Sequence, residues 1–155
     1  MSRSFACRAI VTAVLCLAFC SSAPAGATSC VPDATTLCVD DQPGDRRFAV
    51  RVDFQTTLGG GFVGSGRALA LSNLGVTRGG LFWFFGQDNP EIMVKVLNGC
   101  GVNNRFWVYL SSGTSVGFNL TVTDTTLAHA KSYQNPDRIL ATSVNDTAAL
   151  TCSAP

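Results

Sequence analysis

The chain has 155 residues, a length that suits one domain and lets it bury roughly two-thirds of its unfolded surface. Its eleven Lys and Arg nearly cancel its ten Asp and Glu. That balance gives no electrostatic ground for nucleic acid or an anionic membrane as partner.

The first residues read as a targeting segment. Arg3 and Arg8 make a positive start, Ala9 to Phe19 form a short apolar run, and Ala25-Gly26-Ala27 supplies small residues for cleavage. The run is too short for a helix spanning a bilayer of roughly 30 Å. Phe19 before Cys20 argues against lipidation at that cysteine. Residues 1–27 are therefore expected to be a signal peptide and residues 28–155 a single domain. Removing Arg3 and Arg8 leaves nine Lys and Arg against ten Asp and Glu, a net charge near −1. No second spanning stretch follows, so the expectation is a secreted, periplasmic or cell-surface protein without stable membrane insertion.

Of seven cysteines, Cys7, Cys16 and Cys20 leave with the signal, and Cys30, Cys38, Cys100 and Cys152 remain. An even number in an exported chain reads as two disulfides, with three possible connectivities. Cys30–Cys38 with Cys100–Cys152 is preferred, because the first pair is near in sequence and the second ties down the C-terminal strand. Zinc is disfavoured, since no paired C-x-x-C spacing occurs and the chain has one histidine.

Period-2 alternation then dominates. Phe48, Val50, Val52 and Phe54 alternate with Ala49, Arg51, Asp53 and Gln55. A Gly-rich turn spans Thr56 to Gly66, Arg67 to Leu71 resumes a strand, and Ser72 to Gly80 reads as a connection. Leu81 to Phe85, apolar on both faces, predicts a central strand, and Gly86 to Pro90 a turn. Ile92, Val94 and Val96 oppose Met93, Lys95 and Leu97, and Asn98-Gly99 predicts a tight turn. Phe106, Val108 and Leu110 alternate with Arg105, Trp107 and Tyr109. Val116, Phe118, Leu120 and Val122 make the cleanest inward face, followed by a turn at Asp124 and strands over Leu127 to Tyr133 and Ala148 to Cys152. The pattern predicts an all-β, antiparallel two-sheet β-sandwich of seven or eight strands, linked by disulfides.

Several motifs invite chemistry. Gly59 to Gly64 fits G-x-G-x-x-G, but a strand follows it where the dinucleotide fingerprint needs a helix. Gly113 to Gly117 fits G-x-S-x-G, which makes Ser115, Asp124 and His129 the alternative reading of a small secreted serine hydrolase. The strand after Ser115 argues against that elbow. Asp88, Asn89 and Glu91 provide too few oxygens for calcium. Asn119 and Asn145 open glycosylation sequons. No catalytic group, metal or cofactor is assigned.

Aromatic placement carries the functional weight. Trp83 shares a face with Leu81 and Phe85, opposite Phe82 and Phe84, and Trp107 and Tyr109 lie opposite Phe106, Val108 and Leu110. Trp83, Trp107 and Tyr109 are thus the candidate ligand-binding residues, able to form a stacking platform for sugar rings if their face is solvated. Because apolar residues occupy both faces of these strands, a buried Trp107 is the expectation. Recognition would then pass through loops, with the Gly-rich Leu58 to Gly66 segment as the mobile surface, or through sheet edges.

The chain also resembles an uncharacterised family of exported bacterial β-sandwich domains, found alone or appended to secreted proteases and other surface proteins. The shared blocks are Thr36-Leu37-Cys38, Arg47-Phe48-Ala49-Val50, Phe82-Trp83-Phe84-Phe85, Asp88-Asn89-x-Glu91, Val94-Lys95-Val96-Leu97-x-Gly99-Cys100, Phe106-Trp107-Val108, Leu120 to Thr125, Tyr133-x-Asn135-Pro136 and Asp146-Thr147-Ala148-Ala149. They cover most of the chain after residue 27. Two positions depart from the pattern: Arg105 replaces a histidine before Phe-Trp-Val, and Pro90 a tryptophan after Asp-Asn. The resemblance implies fold and compartment. The resulting expectation is a non-catalytic extracellular module that recognises a protein or a glycan, or serves as an accessory domain.

Overall fold

The computed structural model describes residues 28–153. The expected signal peptide and its three cysteines lie outside them. Ten strands form two antiparallel five-stranded sheets. The first contains β1 (Leu37–Val39), β2 (Phe48–Thr56), β3 (Phe62–Ser65), β8 (Gly117–Asp124) and β9 (His129–Asn135). The second runs in the order β10 (Val144–Thr151), β7 (Arg105–Ser112), β6 (Pro90–Gly99), β5 (Val76–Trp83) and β4 (Arg67–Leu71).

The alternating strands form the centre of the first sheet. Val50 opposes Val122, Val52 opposes Leu120 and Phe54 opposes Phe118. All six are buried, as the alternation required, while Arg51, Asp53 and Gln55 face solvent. The second sheet answers with Phe82, Ile92, Val94, Val96, Phe106, Val108 and Leu110, all buried in the same core. The helices among the described residues are all single turns: the α-helix α1 (Cys100–Asn103) and two 3-10 turns at Leu58–Gly60 and Ser72–Leu74.

The strand count exceeds the expected seven or eight because β1 and β3 are only three and four residues long. Runs that short carry no readable period. They lie end to end along one edge of β2, β1 beside Phe48–Val50 and β3 beside Asp53–Thr56. The Gly-rich turn thus contains a strand, reached through left-handed Gly59, Gly60 and Gly61. Gly66 then carries the chain from the first sheet to the second. It is buried, and a Cβ there would meet Phe84 at 3.1 Å and Val52 at 3.3 Å.

Two other expectations change. Leu81 to Phe85 lies on an inner strand paired on both sides, but β5 begins already at Val76, within the expected connection, and stops at Trp83. Asn98-Gly99 ends β6 instead of turning, and the reversal falls on α1 and left-handed Asn104. Asn98 Oδ1 accepts the Cys100 N–H at 2.9 Å, which starts that helical turn.

Both disulfides have the preferred pairing, Cys30–Cys38 and Cys100–Cys152. The first braces the N-terminal segment that closes one open side of the sandwich. There the Ala68 N–H donates to the Ala34 carbonyl and the Asp40 N–H to the Thr77 carbonyl, both at 2.9 Å. On the other side Tyr133 Oη donates to Asp146 at 2.9 Å, bridging β9 and β10. Burial, then the hydrogen bond to Asp146, raises the Tyr133 phenol far above its ordinary range. Lys131 stands 3.7 Å from the same carboxylate. Inward-turned polar and charged groups of this kind keep strand edges from pairing with other chains.

Candidate functional site

Strand parity places the second sheet's outward side chains in ordered rows. Leu97 opposes Trp107, Lys95 opposes Tyr109, Met93 lies between Leu81 and Ser111, and Trp83 opposes Arg67. Asn145 of β10 continues the row beside Tyr109. Trp83, Trp107 and Tyr109 therefore share one outward face. Tyr109 and Trp107 are neighbours on β7, whereas Trp83 lies two strands away, roughly 16–17 Å from Tyr109 by sheet spacings.

That placement corrects the expectation of a buried Trp107. All three rings are half-buried, and Met93 between them is 50% exposed. Apolar residues occupy both faces of these strands because the rings lie low on the sheet among Leu69, Leu81 and Leu97. Trp107 is the clearest case. A Cβ on Gly99 would come within 2.7 Å of the ring atom Cζ2, so the indole lies on the bare backbone of β6. Its Nε1–H donates to Asn103 Oδ1 at 2.9 Å, and Asn103 Nδ2 donates to the Thr147 carbonyl at 2.8 Å. The ring is pinned between a glycine and the α1 turn.

Gly99→Ala should lift this indole. In a Trp83→Phe background, emission of the remaining tryptophan is expected to shift to the red, with stronger acrylamide quenching. An unchanged spectrum in a folded Gly99→Ala protein would show that the ring does not rest there.

The face is also electrostatically one-sided. Arg67 lies 5.9 Å from the Trp83 ring and Lys95 Nζ 4.8 Å from the Tyr109 ring, both within reach of cation–π attraction. Arg105 stands beside Trp107 on β7, opposite Gly99. None of these cations makes an ion pair among the described residues, and the one acid at the same parity on β6, Glu91, is buried and held by Asn89. A chain balanced overall thus presents a cationic, aromatic sheet surface. Sequence parity put Trp107 and Tyr109 on one face of their strand, and the β5–β6–β7 register adds Trp83 to it. Parity could not identify Arg67, whose relation to Trp83 depends on the β4–β5 register.

The hydrolase residues are not brought together. Asp124 and His129 are cross-strand partners at one end of β8 and β9, while Ser115 precedes β8 at the other end. The strand between spans roughly 23 Å. Asp124 is fully buried and takes Arg47 Nε and Nη2 at 2.8–3.1 Å. His129 Nδ1 lies 3.0 Å from Thr151 Oγ1. Glu91 is buried and accepts Asn89 Nδ2 at 2.9 Å. Among the described residues no group of His, Cys, Asp or Glu is placed to hold a metal ion, and no helix is long and apolar enough to cross a membrane.

A second surface feature is the pole beyond β5. Phe54 and Phe84 stack at 4.4 Å, and exposed Phe62 and Phe85 meet edge to face at 6.0 Å. Leu58 and Val63 of the Gly-rich hairpin are exposed beside them. No protein-family model, curated protein or solved structure matches the chain.

Proposed function

We propose that this protein is a non-catalytic extracellular recognition module that binds an acidic glycan across the outer face of its second sheet. One observation carries the reading: Trp83, Trp107 and Tyr109 share a face with Arg67, Lys95 and Arg105, three cations that make no ion pair among the described residues. Flat rings suit the C–H faces of pyranoses, and the three cations suit carboxylate or sulfate groups on the same polymer. The two disulfides support an oxidising, extracytoplasmic setting.

Trp107 is the residue to test first, because its lower face is held by Gly99 and its edge by Asn103, leaving a pre-set upper face. Oxidised protein passed over immobilised polygalacturonate should be retained at low salt, released as ionic strength rises, and not retained on neutral dextran. Trp107→Ala should weaken retention about tenfold, equivalent to about 1.4 kcal/mol. Its stability should fall by roughly 1–2 kcal/mol, between a surface and a core substitution. Lys95→Glu with Arg105→Glu should abolish retention without unfolding the domain. Equal retention of wild type and both variants would remove the proposal.

A further inference from the structure

The opposite side of the sandwich holds a concavity of about 590 Å³ on the outer face of the first sheet. That volume lies within the range of small-molecule sites. Its floor is set by register. Asp53 of β2, Asn119 of β8 and Gln134 of β9 form one cross-strand row, and Gln55 stands on the next row opposite Gly117. Val63 of β3 forms one apolar wall and Pro136 another.

The end of the concavity is built by a loop lying on β8. A Cβ on Gly117 would meet the Asp137 N at 2.9 Å, so only glycine lets that loop down. Asp137 Oδ2 then accepts the Thr57 N–H and Oγ1–H, each at 2.8 Å, which joins the loop to the end of β2. The Thr57 N–H is also the main cause holding the Asp137 carboxyl below its usual range.

Two acceptors around this site lack a partner. Asn119 Oδ1 in its floor and Asp137 Oδ1 in the loop at its end are buried and accept no hydrogen bond. A buried acceptor left unmade costs free energy, and a turn of the Asn119 carboxamide toward the concavity would let a donor from a bound molecule satisfy it. The neighbouring groups define the donor. Gln55, Asn119 and Gln134 offer carboxamides, Asp53 offers a carboxylate steadied by Ser65 Oγ at 2.8 Å, and no cation lines the concavity. Phosphate or sulfate would meet Asp53 without a counter-charge, and among the described residues no cluster of carboxylates is placed to hold a metal ion. Neutral hydroxyl groups, which both donate and accept, match the set.

We infer that this concavity is a second binding site, for one or two units of a neutral saccharide, separate from the aromatic face. Asn119 Oδ1 and Asp53 accept sugar hydroxyls, Gln55 and Gln134 donate and accept at the rim, and Val63 and Pro136 cover the ring's C–H surface.

The test is an ¹H–¹⁵N NMR titration of the oxidised chain with cellobiose, chitobiose and maltose in turn. At least one should produce saturable shifts in the side-chain amides of Asn119, Gln55 and Gln134. Asn119→Leu should weaken that binding about tenfold, the loss of one hydrogen bond. Should Asn119→Leu fail to fold, Gln55→Ala, altered at an exposed position, should weaken it as well. Trp107→Ala should leave it unchanged, which separates this site from the glycan reading of the other face. The inference is overturned if none of the three sugars gives saturable shifts at these amides, or if Asn119→Leu and Gln55→Ala both fold and bind like wild type.

Discussion

Asp124→Ala is expected to destabilise the protein by roughly 3–5 kcal/mol, because it strands a buried arginine. Asp124 has no exposed surface and takes two nitrogens of Arg47, while its Oδ1 also accepts the Thr126 N–H at 2.9 Å. The Arg47 guanidinium lies 4.4 Å over the Phe106 ring and 3.5 Å from Asp41, so it has no easy route to water. Burial alone would lower the Arg47 pKa. The hydrogen bond and charge of Asp124 override it and leave the group raised above its ordinary value. Removing the carboxylate leaves the desolvation and takes away the largest part of its compensation, with Asp41 the remaining ion-pair partner.

Arg47→Ala should cost a similar amount, and the double replacement Arg47→Ala with Asp124→Ala less than the sum, since it removes both buried charges of the pair together and leaves only Asp41 without its cation. Urea unfolding of the three variants measures this directly. A loss under 1 kcal/mol for Asp124→Ala would mean that the ion pair is solvated and not part of the core.

The pair shows where sequence reading ends. Asp124 resembles a turn residue after an alternating strand, and Arg47 resembles a polar residue before one. Only the register, which sets Phe48 against Asp124, joins them. Alternation did identify Phe48, Val50, Val52, Phe118, Leu120 and Val122 as inward, because a half-buried strand writes its burial at period 2. Local spacing also suggested the disulfide pairs. The same parity placed Trp107 and Tyr109 together, but it reports which residues share a face and not whether another layer covers that face. Leu81, Met93 and Leu97 therefore suggested burial, whereas they flank half-buried rings on a solvated sheet. The Asn119 concavity had no sequence signature. It joins residues of β2, β8 and β9 with a loop held by Asp137, and each reads singly as an outward polar residue of an edge or a turn.

Replacing Cys100 and Cys152 together by serine should affect both stability and the aromatic face. The bridge joins residues 52 apart in sequence, and on the chain-entropy model its loss costs roughly 4 kcal/mol. The Cys30–Cys38 bridge closes a loop of separation 8 and should contribute less, roughly 2.5 kcal/mol. The larger effect has a local consequence. Cys100 begins the α1 turn that carries Asn103, and the Cys152 N–H donates to the Asn104 carbonyl at 3.3 Å. Without the bridge, this turn keeps only hydrogen bonds to β10, and Asn103 holds the Trp107 indole less firmly. In conditions where the Cys100→Ser, Cys152→Ser protein is still folded, acrylamide should quench Trp107 more strongly and retention on polygalacturonate should fall. Sugar-induced shifts at Asn119 should persist, because β2, β8 and β9 lie in the other sheet. Loss of both activities in parallel would indicate general unfolding. Unchanged quenching with a large stability loss would place the indole under the control of Gly99 alone.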